Sequence, residues 1–348
     1  MVALDPVELR LEPYFSFLMS SLKSDGFEVY PLAGDASARR YYRVVHGEES
    51  SVLMRWEPFE NNKDYPFLSV LNHFQRNDVQ VPDVIALDPQ GGYILLEDLG
   101  DLTLERKYWE SQNKDSALGF YRKAIDELIK IHYTATNDKS DCTAFETTFD
   151  TSKFLWEMNY AFQHLLQTML GIKFDEAESG RLQTEFHQNC KRLSEEPRVI
   201  CHRDYHSRNL MIKLGKMRVI DFQDARMGPI YYDLVSLLRD SYVDLTDDYA
   251  QSLIDYYLVN RQEQKAPAIS KDEFSELFEI QTVQRSFKAC GSFASFFNSR
   301  GDKRYLKYLS PTLRKVYLAC QRTRSSPFLA KIINDNGLLE RDLESEFS

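Results

Sequence analysis

His202-Arg203-Asp204-Tyr205-His206-Ser207-Arg208-Asn209, followed twelve positions later by Asp221-Phe222-Gln223-Asp224, is the stretch on which the reading of this chain turns. An Asp stands five residues before an Asn, and a second Asp follows. Apolar segments of strand type flank the pair. Residues 198–201 lead in, 210–214 lead out, Gly215-Lys216 turns the chain, and 217–220 run into Asp221. This is the layout of a loop, a tight hairpin and a second carboxylate converging on one place. Asp204 is then placed to meet a substrate hydroxyl while Asn209 and Asp221 hold magnesium, which is what phosphoryl transfer requires. Magnesium prefers hard oxygen ligands and keeps several waters, so an amide oxygen, a carboxylate and nucleotide phosphates suffice.

Working outward, Gly228 lies only seven positions beyond Asp221. A segment that docks a peptide needs far more chain, so the acceptor is expected to be a small molecule. Gly228-Pro229 breaks the chain just before a helical pattern, and Asp233 falls in that helix's first turn, where a carboxylate is favoured. Asp233 is therefore expected to brace the loop. His202 is expected to hydrogen-bond backbone carbonyls and stiffen the same loop. His206 has no further ligands at zinc spacing. His132, on the apolar face of a helix, reads as a satisfied core residue. Cys201 and His202 are neighbours on a strand and point to opposite faces, so they do not form a nucleophilic pair.

The sequence of 348 residues is long enough for a large core. Its net charge of −10 argues against general nucleic-acid binding. Five scattered cysteines (Cys142, Cys190, Cys201, Cys290, Cys320) contain no CxxC pair, which fits a reducing compartment without structural zinc or disulfides. Neither a signal peptide nor an apolar run of about 18 residues is visible, so no membrane association is expected and the address is cytoplasmic.

Apolar residues 9, 11, 15, 18, 19 and 22 predict one helix over 5–25, closed by Gly26. Strands are predicted at 27–33, 41–45 and 52–56, a helix at 65–76, and strands at 84–87 and 93–96 around the turn 88–92. Beyond Gly100 helical patterns dominate: 116–134, 152–170, 176–193, 231–242, 249–261, 271–297 and 305–322. Loops are expected at 136–148 and 262–270, and the acidic tail 340–348 is expected to fray. The predicted architecture is α+β and bilobal. Residues 1–99 form a small lobe with a five-stranded antiparallel sheet, residues 100–348 form a helical lobe, and a ligand cleft lies between.

Residues 34–40 join the first two strands. Gly34 permits a tight turn, Ser37 and its small neighbours let amides approach phosphate, and Arg39 or Arg40 adds charge. Protein kinases place a Lys on the third strand. This chain has Arg55 near that point, either as the phosphate cation or as a solvent-facing residue. Glu97 to Leu99, at the lobe boundary, would present backbone groups to an adenine edge.

With these parts assembled, the chain resembles the aminoglycoside phosphotransferase/choline kinase superfamily, from Gly34 to about residue 318. The strings GDASARRYYRV (34–44), LLEDLGDLTL (95–104), CHRDYHSRNLMI (201–212), IDFQDARMGPIYYDLVSLLRDSYV (220–243) and QRSFKACGSFASF (284–296) resemble bacterial kinases of cell-wall recycling. Those enzymes phosphorylate the C1 hydroxyl of N-acetylmuramate or N-acetylglucosamine with ATP. The resemblance implies ATP and Mg2+ as cofactors, a sugar as substrate and no obligate protein partner. It makes Asp204 the catalytic base and Asn209 and Asp221 the metal ligands. It assigns phosphate contacts to Gly34, Ser37, Arg39 and Arg40 and hinge contacts to Glu97 and Leu99. Asp224 becomes either a sugar contact or a structural hydrogen-bonding group, and Glu157, more weakly, a sugar contact, although a solvated face is the simpler expectation for Glu157. The missing third-strand Lys leaves two rivals: an aminoglycoside or choline-type kinase, and a nucleotide-binding pseudokinase.

Overall fold

Strand pairing begins with an antiparallel ladder in which Glu28 faces Val45 and Arg40 faces Arg55. The computed structural model describes residues 2–32, 39–60 and 64–347. Two helices, α1 (Pro6–Leu11) and α2 (Phe15–Leu22), precede the strands β1 (Glu28–Pro31), β2 (Arg40–His46) and β3 (Glu49–Arg55). Helix α3 (Pro66–Arg76) and strands β4 (Val84–Asp88) and β5 (Tyr93–Glu97) follow, and the five strands lie antiparallel in the order β1-β2-β3-β5-β4.

The predicted single helix over 5–25 is two helices. Pro13 disfavours helical backbone at Glu12, whose ψ of 135° ends α1. Strand parity then sorts the side chains. Tyr42, Leu53, Tyr93 and Leu95 share one face, where they bury against Leu9, Tyr14 and Leu18 of the two helices. Tyr41, Arg43, Val52, Met54, Ile94 and Leu96 alternate with them and face the other way.

The remainder is mostly helical: α4 (Leu104–Glu110), α5 (Asp115–Ile129), α6 (Thr151–Ala161), α7 (Glu176–Ser194), then β6 (Arg198–Cys201), β7 (Leu210–Lys213), β8 (Lys216–Val219) and β9 (Arg226–Pro229). Helices α8 (Tyr231–Leu238), α9 (Asp247–Asn260), α10 (Lys271–Arg300), α11 (Leu309–Thr323), α12 (Pro327–Asp335) and α13 (Leu343–Glu346) complete the chain. Helices α5 and α6 each run on into a wider π turn, at Lys130–Ala135 and Phe162–Met169. Helices α4 and α12 were not expected. Thr103 caps the first, and Pro327 at the first position of the second starts a turn that buries Phe328 and Leu329. The tail is not frayed up to residue 347: Leu343 is buried and Arg341 pairs with Glu346.

Helix α10 is the axis of this region. Ser270 caps its start by accepting the Glu273 N–H at 3.2 Å, and Gly301 ends it with a φ of 63°. It packs on α6, α8 and α11 within one continuous core that also takes in Met54, α3 and Ile94. Gly291 allows its closest approach, since a Cβ there would meet Ala161 Cα at 2.4 Å. Gly119, on α5, has open space instead. Gly291→Ala is therefore expected to lower stability by about 1–3 kcal/mol through overpacking. Gly119→Ala should raise it by about 0.5–1 kcal/mol from helix propensity. Urea unfolding of the two variants checks the opposite signs.

Candidate active site

Strands β6 and β9 pair antiparallel, Arg198 with Pro229 and Cys201 with Arg226, and the loop 202–209 leaves the end of β6. Two carboxylates behind this loop set its shape. Asp233, in the first turn of α8, accepts the His202 N–H at 2.7 Å through Oδ2 and the Arg203 N–H at 3.0 Å through Oδ1. Asp240 accepts the Ser207 N–H at 2.8 Å. His202 bridges to the Ile220 carbonyl at 2.9 Å, and His132 sits between Asp233 and the Tyr257 hydroxyl. His132, Cys201 and Asp233 are close enough to suggest a metal cluster, but the Asp233 oxygens are engaged by backbone amides and Cys201 is fully buried with its thiol pushed up. All five cysteines are buried and unpaired.

Arg203 and Asp221 have φ of 82° and 64°. Side chains other than glycine rarely adopt this left-handed backbone, and they do so where neighbouring structure enforces it. The hairpin β7–β8 returns the chain so that Asp221 meets Asn209. Asn209 Nδ2 donates to the Asp204 carbonyl at 2.9 Å and to Asp221 Oδ2 at 3.2 Å. Asp204, Asn209 and Asp221 all line one cavity of about 780 Å³ beside the inner face of the sheet. With its amide nitrogen committed, Asn209 offers Oδ1 next to the Asp221 carboxylate. Two hard oxygen donors side by side fit a magnesium ion that keeps its remaining shell from phosphate and water.

Asp204 is surrounded by cations. Arg285 Nη2 lies 3.4 Å from Oδ1 and Lys288 Nζ lies 3.9 Å from the same atom, while Arg203 Nε is 3.9 Å from Oδ2. Burial alone would raise the Asp204 carboxyl, but Lys288, Arg203 and Arg285 outweigh it and hold the group well below the usual carboxylate range. Burial pulls the Lys288 ammonium down to about 8 against the attraction of Asp204. Neither Arg285 nor Lys288 was singled out from sequence. Their signal was two cations among the apolar residues of QRSFKACGSFASF, on a helix face that buries its neighbours.

At the sheet end, Arg39 lines the cavity and its guanidinium sits 5.3 Å from the Trp56 ring centre. Glu97, Asp98, Leu99 and Gly100 line it where β5 leaves the sheet. The Glu97 side chain pairs with Lys213 at 2.8 Å. Gly34 and Ser37 lie outside the described residues. Arg55 does not face the cavity. It shares the outer face with Leu53, 3.4 Å from Glu12 and over the Tyr14 ring. Arg40, opposite Arg55 in the ladder, is exposed on that side too. On the inner face of β2, Arg43 also lines the cavity, clamped between Asp98 (2.6 Å) and Asp101 (2.9 Å). Arg55→Ala is accordingly expected to change turnover by less than about two-fold, because losing a partly exposed pair removes about 1 kcal/mol or less of stability and nothing from the cavity. Initial-rate kinetics measures it.

Asp224 lines the cavity and pairs with Arg203 at 3.1 Å. Glu157 is not on a solvated face. It is fully buried beneath the cavity, where it accepts from Gln284 at 2.9 Å and from the Tyr232 hydroxyl at 3.3 Å. Its neighbours Trp156 and Tyr160 line the cavity in its place.

Among the described residues, no helix is long and apolar enough to cross a membrane. The fold is similar to that of a choline kinase from Streptococcus pneumoniae (TM-score 0.57, 15% identity, 91% of this chain and 99% of that one). An ADP-bound aminoglycoside phosphotransferase matches equally well, with TM-score 0.57 and 15% identity over 93% and 99% of the two chains. In sequence, the chain is 29% identical to the N-acetylmuramate/N-acetylglucosamine kinase of Neisseria meningitidis over 92% of its length and 94% of that protein. It is 30% identical to the enzyme of the same name from Pseudomonas aeruginosa over 80% of each. The sequence pattern of the phosphotransferase enzyme family matches residues 28–268. A loop that brings Asp204, Asn209 and Asp221 together under a five-stranded sheet, in a chain with these relatives, makes this protein a member of the phosphotransferase enzyme family.

Proposed function

We propose that this phosphotransferase moves the γ-phosphoryl group of Mg-ATP to the C1 hydroxyl of an N-acetyl amino sugar, N-acetylmuramate or N-acetylglucosamine. The observation that carries the proposal is the convergence of Asp204, Asn209 and Asp221 on one cavity. The acceptor follows from relatives of this name over most of the chain. The short passage from Asp221 to β9 agrees with it, since it leaves no room for a peptide-docking segment.

In this proposal ATP lies with its base against the segment 97–100 and its phosphates toward Asn209 and Asp221. Asn209 and Asp221 would hold magnesium there, which would supply positive charge against the phosphates. Asp204 orients the sugar hydroxyl and receives its proton late, as the new P–O bond forms. Cations have made it a weak base, so positioning and electrostatics carry the rate. Residues 1–99 supply the nucleotide cover and residues 100–348 the reaction centre, in a soluble cytoplasmic enzyme with no protein partner.

A coupled ADP-release assay over N-acetylmuramate, N-acetylglucosamine, choline and kanamycin tests this. Turnover is expected with the amino sugars alone, and EDTA should abolish it. Turnover on choline or kanamycin would overturn the acceptor, and no ADP release with any of them would favour a pseudokinase.

A further inference from the structure

The wall of the cavity beyond Asp204 is built by α10, α6 and the loop 202–209, and its charge is unusual for a site that meets a neutral or cationic acceptor. Asp224 takes Arg203 at 3.1 Å, and Arg285 and Lys288 share the Oδ1 of Asp204. Of the other nearby carboxylates, Glu157 accepts from Gln284 and Tyr232 through Oε2 and has Lys153 3.8 Å from Oε1, and Asp240 holds the backbone at Ser207 and Tyr242.

Arg285 is committed as well. Its Nε donates to Ser236 Oγ at 3.1 Å and its Nη2 reaches Asp204. Lys288 is not committed. It stands one turn further along α10 and lines the cavity, and its ammonium is 3.9 Å from Asp204, beyond hydrogen-bond distance. Among the described residues it has no hydrogen-bond partner, although only 14% of its side chain is exposed. Holding a largely buried ammonium with no hydrogen bond, against one carboxylate 3.9 Å away that Arg285 also engages, costs free energy that a second anion would offset.

Two oxyanions are available: the transferring phosphoryl group and an acid group on the acceptor. Position favours the second. Lys288 meets Asp204 from α10, which packs on α6 and its cavity-lining Trp156 and Tyr160, whereas Asn209 and Asp221 pair with each other beside the hairpin. The half-exposed ring of Trp156 lines the same cavity with Tyr160, and such rings suit the C–H faces of a sugar.

We propose that Lys288, backed by Arg285, is the subsite for a carboxylate on the acceptor, and that it makes the enzyme prefer an amino sugar bearing an acidic ether arm over the neutral parent sugar. This rests on the sugar-kinase proposal above and adds the residue that sets its preference. A cationic acceptor such as choline is disfavoured by the same charges.

The test compares N-acetylmuramate with N-acetylglucosamine, which differ by that acidic arm. Binding is measured by calorimetry and kcat/KM by ADP release, for the wild type, Lys288→Met and Lys288→Arg. The wild type is expected to favour N-acetylmuramate. Lys288→Met should reduce that preference by about ten-fold or more, the scale of one charge-assisted hydrogen bond, mainly through KM, and Lys288→Arg should restore most of it. Met leaves a buried apolar stem in place of the desolvated cation, and an unchanged melting temperature controls for folding. An equal loss for both sugars, concentrated in kcat, would place Lys288 on the phosphoryl group and overturn the proposal. A preference unaltered in Lys288→Met would overturn it as well. Calorimetry reads the subsite without turnover, so selective binding with no ADP release would fault the kinase proposal and leave this one standing.

Discussion

Asn in place of Asp204 is expected to cut turnover by about two decades or more, the scale for loss of a general base, while affinity for ATP does not fall. The shape is nearly unchanged, so the loop and its braces persist. What disappears is the carboxylate that Arg285 and Lys288 share in the cavity wall. The site becomes more positive, and the nucleotide phosphates are held at least as well as before. On the proposed mechanism the acceptor hydroxyl, in contrast, loses the group that orients it and takes its proton. Single-turnover rates separate this from a binding defect, and calorimetry with ATP gives the second half. A kcat within about three-fold of the wild type would remove Asp204 from the reaction.

Asp233→Ala is expected to be the most damaging change outside the cavity. The carboxylate is fully buried and accepts two consecutive backbone N–H groups, at His202 and Arg203. Truncation leaves both donors without an acceptor and opens a void beside His132 and Cys201. Losses of this kind run to about 3–5 kcal/mol. The backbone at Arg203 has a φ of 82° and is kept there by these bonds, so the loop should relax and turnover should fall with stability. Asp233→Asn retains one acceptor oxygen and should lie between the two. Urea unfolding midpoints together with kcat decide it. A stability loss below about 1 kcal/mol with normal turnover would show that the loop holds its own shape.

How much of this could be read from residues alone depends on how locally each feature is encoded. The spacing of Asp204, Asn209 and Asp221 is local, because a loop and a two-residue turn account for their meeting. Helix α10 was legible from its periodicity, and the five strands from theirs. Arg55 was misleading because parity along β3 decides which face it takes, and parity needs the register with β2 and β5. Glu157 appeared solvated because no linear pattern shows that Gln284, over a hundred positions away, would close over it. Arg285 and Lys288 acquire meaning only when α10 crosses behind Asp204, a tertiary event. Pro13 did announce the break between α1 and α2, but the apolar period ran through it and prevailed.

The aromatic residue that follows Asp221 has one more implication. Phe222 is buried, with its ring 5.2 Å from that of Phe67 and 6.0 Å from that of Phe74, both on α3. Helix α3 thus grips the chain one peptide away from Asp221. On the proposed mechanism, a shift of α3 would tug on that carboxylate, so admission of nucleotide and alignment of its terminal phosphate would be geared to each other.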